Sequence, residues 1–380
     1  MDPRLRGGDK GNNKNMEKEK MFAVAFNCLT NFNYQKYQKI IKIFGSLERA
    51  YFANKKDLLQ TGWTEASLDI FLEKKKSFSF EKMLKKLEKE NIQICFIEDQ
   101  NYPRLLKNIY DPPVMFYYQG NLDINWFSSI SIVGSRVFTY YGAKVIKNFM
   151  PELIKVKINT ISGLAIGIDT LVHQETLKHN GQTMAVLGAG IDRESLYPAQ
   201  NYRLSRQIIE KNGLILSEFP LKTPGIPYNF PKRNRIIAGL SRYTLVVEAG
   251  QKSGSLITAR SALDEGREVL TIVGDIYNPS SMGTNKLAKD GAHIINSPYD
   301  ILNLFNCLPF SNNKIIEKKE YKAENELEEK IIKILQNKKM HIDEICLTLN
   351  ENISNIIIAL SVLEVRGTIN DEGEKNYALN

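Results

Sequence analysis

From Ser129 onward, short and nearly unbroken apolar runs alternate with stretches of helical character. The runs Ser129–Gly134, Asn159–Leu164, Met184–Leu187, Leu214–Glu218, Leu245–Glu248, Val269–Val273 and His293–Ile295 predict strands. Strands separated by helices at this spacing predict an α/β fold with a mostly parallel sheet and helices on both faces. The lack of polar alternation within the runs indicates strands buried on both sides. Upstream, Met21 to about Glu90 is helical and short-looped. There Asp57–Gly62 followed by Glu65–Leu68 reads as a helix, a tight Gly turn and a second helix, a helix-hairpin-helix or SAM-like pattern. Such a hairpin either grips a nucleic-acid backbone through its turn N–H groups or is a small packing domain. The connector Asn91–Gly120 carries Pro103, Pro112 and Pro113, which enforce extended geometry and turns among apolar residues of strand and core type.

At the other end, a Lys- and Glu-rich linker over 311–326 precedes three predicted helices, Leu327–Leu335, Ile342–Leu349 and Ile353–Val365, and a hairpin around Gly373. Three helices and a β wing make a winged-helix module. Its third helix contains no Lys or Arg to neutralise phosphate, which favours a protein contact over a DNA contact. Residues 1–20 are rich in Gly, Asn and Lys and are expected to be disordered, with Met16 or Met21 as an alternative start.

Charge sharpens this division. The chain is formally +8, but from Ala323 to Asn380 eleven acids face six bases, so this tail is at −5 and the remainder at +13. A polyanionic partner would therefore meet the front and middle of the chain. No apolar stretch approaches the roughly 18 residues of a membrane span, and Met1–Lys20 lacks the apolar core of a signal peptide. The four cysteines and four histidines are scattered, without metal-ligand spacing, which suits a reducing cytoplasm and no metal or cofactor.

The candidate chemistry lies where the strands end. Ligands of parallel sheets sit beyond the carboxyl ends of the strands, and small residues occupy nearly all of those ends here. Gly134-Ser135-Arg136 closes the first strand: either a tight turn with a solvated arginine, or backbone donors beside a guanidinium that holds phosphate. The run Ser162–Asp169 is a second Gly-rich turn, with Gly163 open to close approach and Asp169 placed as an N-cap. Asp169 and His173, four apart, form either a catalytic pair or a cap and a packed histidine. Asp192, in the Gly188–Asp192 loop, reads as a turn residue. Pro231–Ala259 is the richest segment. It sets Lys232, Arg233 and Arg235, with Asn234 among them, at the mouth of a helix, followed by a strand and the small-residue loop Gly250–Ser255 that opens another helix. Unpaired N–H groups at such a helix start favour anions, which adds Lys252, Ser253, Gly254 and Ser255 to the candidates. Phe230 beside the cations either stacks on a base or belongs to the core.

Taken together, the motifs Tyr102-Pro103, Asp111-Pro112-Pro113, Ile132–Arg136, Ser162–Asp169, Ala185–Gly190, Tyr197-Pro198, Ser217-Glu218, Phe230–Ser241, Val246–Ala259 and Gly283 to Ala292 resemble the DNA processing protein A (DprA/Smf) family. The match runs in order over nearly 200 residues. The resemblance implies an extended Rossmann-like core that binds single-stranded DNA as a homodimer and hands incoming DNA to the recombinase RecA during natural transformation. It carries DNA contacts over to Arg136 and, more loosely, to the Phe230–Arg235 loop. Ile166 departs from the pattern, since many relatives have a basic or polar residue there. The expected organisation is a tail (1–20), an N-terminal helical domain (21–90), a Rossmann-like domain (91–310, core from about 129), the linker (311–326) and a winged-helix domain (327–380). The expected function is a cytoplasmic, non-enzymatic protein that protects single-stranded DNA and loads RecA. The competing reading is a nucleotide-processing hydrolase using Glu248 as acid or base. In the structural alternative, Glu248 instead pairs with Arg233 or Arg235. A purely structural interaction protein would leave the basic core unexplained.

Overall fold

The computed structural model describes residues 8–307, 323–336, 339–371, 373 and 375–379. Those up to Cys307 form one compact unit and those from Ala323 a second. Most of the expected linker, residues 311–322, lies outside the described residues.

The first unit is built on a nine-stranded sheet. Its strands are β1 (Gln93–Phe96), β2 (Met115–Gly120), β3 (Ser129–Val133), β4 (Asn159–Ser162), β5 (Thr183–Leu187), β6 (Leu214–Ser217), β7 (Tyr243–Val246), β8 (Glu268–Thr271) and β9 (His293–Ile294). They lie in the order β1-β2-β6-β5-β4-β3-β7-β8-β9. The seven strands β3 to β9 are parallel to their neighbours, while β2 pairs antiparallel with β6 and β1 antiparallel with β2. All seven predicted strands are present. Several stop one or two residues earlier than expected, because Gly134, Gly163 and Glu248 belong to the turns that leave the sheet rather than to its ladder.

Two-sided burial follows from the period of two. Ile130 and Ile132 of β3 pack on one face with Ile146, Met150 and Val172, from the helices Tyr140–Lys155 and Ile168–Lys178. Ser131 points to the other face, where its hydroxyl donates to the Ile237 carbonyl at 2.6 Å, and Val133 joins the larger core there. Buried hydroxyls within the strands are satisfied similarly; Ser162 Oγ donates to Ile132 O at 2.7 Å.

The N-terminal helices share this larger core instead of closing one of their own. Phe26 stacks on Phe71 at 5.4 Å, and both belong to the same buried cluster as Phe116 and Leu216 of the sheet. The first helix runs Gly8–Leu29, so it begins within the stretch expected to be disordered. An anchor for it is Lys20, which pairs with Glu17 and Asp99, both at 3.1 Å. The predicted hairpin is present as helices Lys55–Leu59 and Glu65–Ser77, the second capped by Thr64. Among the described residues no single helix is long and apolar enough to cross a membrane.

The second unit has the three predicted helices, Glu326–Leu335, Ile342–Leu349 and Ile353–Val365, and a small antiparallel sheet. In that sheet β12 (Asn376–Leu379) pairs with both β10 (Met340–His341) and β11 (Ile369–Asp371). Ile331, Ile345, Ile356, Leu360 and Leu363 form its core.

Candidate nucleic-acid interface

Outward from β3 the sheet runs through β4 and β5 on one side and through β7 and β8 on the other. The chain therefore leaves the carboxyl ends of β3 and β7 in diverging directions, and a crevice opens between them. A cleft of about 660 Å³ occupies this place. Its walls include Gly134, Ser135 and Arg136 after β3, Phe230 and Asn234 from the helix Asn229–Gly239, and Lys252 to Ser255 after β7.

The turn after β3 is held by backbone approach. Val247 N–H donates to Val133 O at 3.1 Å, and Ile168 N–H donates to Ser135 O at 3.1 Å. Gly167 passes directly against the Ser135 carbonyl and the Arg136 backbone at φ +92, where any Cβ would collide. Arg136 is thereby projected into solvent, its guanidinium 5.4 Å from the Phe230 ring centroid. Tyr197 tilts against the same ring at 5.6 Å. The opposite wall is the start of the helix Gly254–Asp264, capped by Ser253, with no acidic residue in its first turn and an exposed Lys252 just before it. A helix N-terminus, an exposed arginine and lysine, and the rings of Phe230 and Tyr197 converge on one cleft, a combination suited to a phosphate chain and its bases.

The expected basic loop is corrected on two counts. Residues 229–239 are helical, and the helical period sends neighbouring cations to different sides. Arg233 is buried at 4% exposure. Its Nη1 donates to Gly163 O at 2.7 Å and to Val186 O, and its Nε donates to Asn234 Oδ1 at 3.2 Å. The guanidinium fills the space where a Gly163 side chain would lie, so Gly163 is a seat for Arg233 and does not line the cleft. Arg235 faces away, its Nη2 binding both Glu218 oxygens at 2.6 and 2.8 Å and its Nε near Asp111 at 3.5 Å. Lys232 is half-buried over the Tyr228 ring at 4.3 Å. Asn234 spans Arg233 and the Gly254 carbonyl, joining the two helix starts.

The other candidates also find internal partners. Asp169 is not the N-cap, a position held by Gly167; its carboxylate accepts from Gly163 N–H at 3.1 Å and Ala165 N–H at 3.4 Å. Burial pushes Asp169 up and Arg233 down to about 10, in each case against their mutual attraction. His173 binds Thr183 Oγ1 at 2.7 Å, and burial, with the Arg233 charge, pushes it down to about 3. Asp169 and His173 thus form no catalytic pair. Glu248, 1% exposed, accepts from Thr139 N–H at 2.9 Å and from the Thr139 hydroxyl, fixing the cap of the helix Tyr140–Lys155. It pairs with neither Arg233 nor Arg235 and lines no part of the cleft. Ile166 is exposed at the turn edge.

With this geometry in view, the comparisons are informative. The family model for DNA recombination-mediator protein A matches residues 93–306, the sheet and all of the cleft. The chain belongs to this family. Protein Smf of Escherichia coli is 40% identical over 245 residues, covering 64% of this chain and 65% of that protein. DNA processing protein DprA of Streptococcus pneumoniae is 42% identical over 206 residues, covering 54% of this chain and 72% of that one. The X-ray structure of the pneumococcal protein superposes with a TM-score of 0.63 at 34% identity, over 75% of this chain and 96% of its own. DNA processing protein A of Helicobacter pylori, which binds single-stranded DNA, gives 0.50 at 27% identity, over 56% and 96%.

Within the family cleft, sequence reasoning missed Tyr197 as a partner of Phe230. Its signal was an aromatic beside Pro198 in a loop at the same sheet edge. It also missed the buried Arg233–Asp169 centre, for which no local pattern exists.

Proposed function

We propose that this chain is a single-stranded-DNA-binding recombination mediator that protects incoming strands and delivers them to RecA during natural transformation. The observation that carries the reading is the cleft at the β3/β7 switch point, with Arg136 and Lys252 both exposed in its lining. In this reading Arg136 and Lys252 hold phosphates, Ser135, Gly254 and Ser255 offer backbone approach, and Phe230 with Tyr197 meets the bases. In this reading the chain binds as a homodimer and contacts RecA directly, which its family membership supports. The second unit, with net −5 and a third helix free of Lys and Arg, acts through protein contacts.

The hydrolase alternative loses support because Glu248 is enclosed and already committed to Thr139. A salt titration of binding to single-stranded and duplex oligonucleotides tests the proposal. Tight, salt-dependent binding that favours the single strand is expected. Equal affinity for both forms, or no binding at low salt, would overturn it.

A further inference from the structure

A second cleft, of about 520 Å³, lies between the N-terminal helices and the segment that follows β6. Its polar lining is one-sided: Lys74, Lys82, Lys86 and Lys222, with the hydroxyls of Ser77 and Ser79, and no acidic residue. Lys86 pairs at 3.2 Å with Asp192, a fully enclosed carboxylate that also accepts from Lys222 N–H at 2.7 Å and Ser195 Oγ at 3.1 Å. This network ties the helix Phe80–Lys89 to the Rossmann-like sheet and holds Lys222 at φ +67, a conformation a lysine rarely adopts. Lys74, Lys82 and Lys222 are exposed, and no ion pair among the described residues engages them. Asp192 is committed to Lys86 and to backbone, so three exposed cations line one concave surface with no acidic residue in its lining, and the arrangement favours a bound anion.

The position of the cleft identifies the anion. The segment 219–231 walls this cleft with Pro220 and Lys222, and walls the switch-point cleft with Gly225, Pro227, Phe230 and Pro231. A third concavity shares Cys28 and Pro220 with the lysine cleft and is lined by Tyr228 and Lys232; its two carboxylates, Asp111 and Glu218, are paired with Arg235. The segment 219–231 thus borders all three concavities and brings Lys222, Tyr228 and Phe230 to their walls.

We propose that the lysine cleft is a second phosphate site, which takes the backbone of the same nucleic-acid strand after it leaves the switch-point cleft. This rests on the binding function proposed above. It also gives the N-terminal helices a role in extending the bound strand, one independent of the Gly62 hairpin turn.

The test compares the full chain with a triple variant, Lys74→Ala, Lys82→Ala and Lys222→Asn, against an oligothymidine length series. Lys86 is kept because Asp192 needs it, and Asn tolerates the positive φ at 222. The short oligomers, confined to the switch-point cleft, should bind the variant as they bind the wild type. Long oligomers should bind it about tenfold more weakly, with a salt slope lower by roughly two, from about 0.7 per single-strand phosphate contact. Affinity and slope equal to wild type at every length would overturn the proposal. So would protection of Lys82 from acetylation by tripolyphosphate but by no oligonucleotide, which would make the cleft a free-anion site. Wild-type protein that binds no oligonucleotide would overturn the proposed function as well, whereas a length-independent variant overturns this inference alone. Thermal unfolding of the variant within a few degrees of wild type verifies that the fold is intact.

Discussion

Arg136 and Arg233 approach the same phenylalanine, their guanidinium carbons 5.4 and 6.0 Å from the centroid of Phe230. Arg136 stands in solvent at the end of β3. Arg233 is enclosed, spending its donors on the carbonyls of Gly163 and Val186 and on Asn234. One arginine is available to a ligand and the other holds the ends of β4 and β5 in place. The same division runs along the helix Asn229–Gly239, where Lys232 lies over the Tyr228 ring while Arg235 is occupied by Glu218 and Asp111. A count of cations along the chain therefore overstates the charge that a phosphate backbone can meet.

The largest expected effect tests the buried side. Arg233→Met should destabilise the first unit by about 3–5 kcal/mol, because it leaves Asp169 and the carbonyls of Gly163 and Val186 enclosed without their partner. Denaturant unfolding measures this. Loss of DNA affinity at unchanged stability would instead put Arg233 among the ligand contacts and break the comparison.

Acid should weaken the same buried centre. His173 has its pKa depressed from 6.5 to about 3, so the folded state excludes its proton. The stability this contributes is complete above the unfolded value and is lost as pH falls from about 6.5 toward 3. At pH 4.5 the loss from this one group should be about 2–3 kcal/mol. Unfolding curves recorded between pH 7 and 4.5 would show it, and His173→Gln should flatten the dependence.

On the exposed side, Arg136→Ala should cost about 1.5–3 kcal/mol in single-strand affinity, the scale of a charge-assisted contact. Its stability should stay within about 0.5 kcal/mol of wild type, as for other exposed substitutions. Paired binding and unfolding measurements would separate the two arginines cleanly. Unchanged affinity at moderate salt would remove Arg136 from the interface.

Lys232 and Arg235 sharpen the comparison further. Lys232→Ala should lower the salt slope by roughly 0.7 for all sequences alike, whereas Arg235→Ala should chiefly lower stability. An equal change of slope in both would show that the Glu218 pair opens on binding. The smallest effect is expected on removing everything after about Phe310. Single-strand affinity should then be unchanged or slightly raised, with any gain fading as salt screens the net −3 charge of the deleted part. A large loss of affinity, with the first unit still folded, would show that the winged helix contacts DNA.

Much of the fold was legible because its signals are local. Seven parallel strands, three winged-helix helices and the small-residue turns at the sheet edge all follow from apolar period and from where glycine interrupts it. The turn Gly134-Ser135-Arg136 and the helix start at Gly254 stand at the sheet edge where the same local signals put them. The merging of the N-terminal helices with the sheet was not legible, because the sharing of one core by Phe26, Phe71 and the sheet residues Phe116 and Leu216 leaves no mark on spacing.

The chain by itself determined that cations, aromatics and helix starts would gather at one edge of a parallel sheet, since the turn chemistry of successive parallel strands brings their carboxyl ends to the same side. Which of those cations faces water was decided only by tertiary structure. The partners that consume Arg233 come from 70 and 47 positions away, and the one that consumes Arg235 from 17. A side chain's charge is written in its residue type, but its availability depends on which distant carbonyls and carboxylates the fold brings within 3 Å of it.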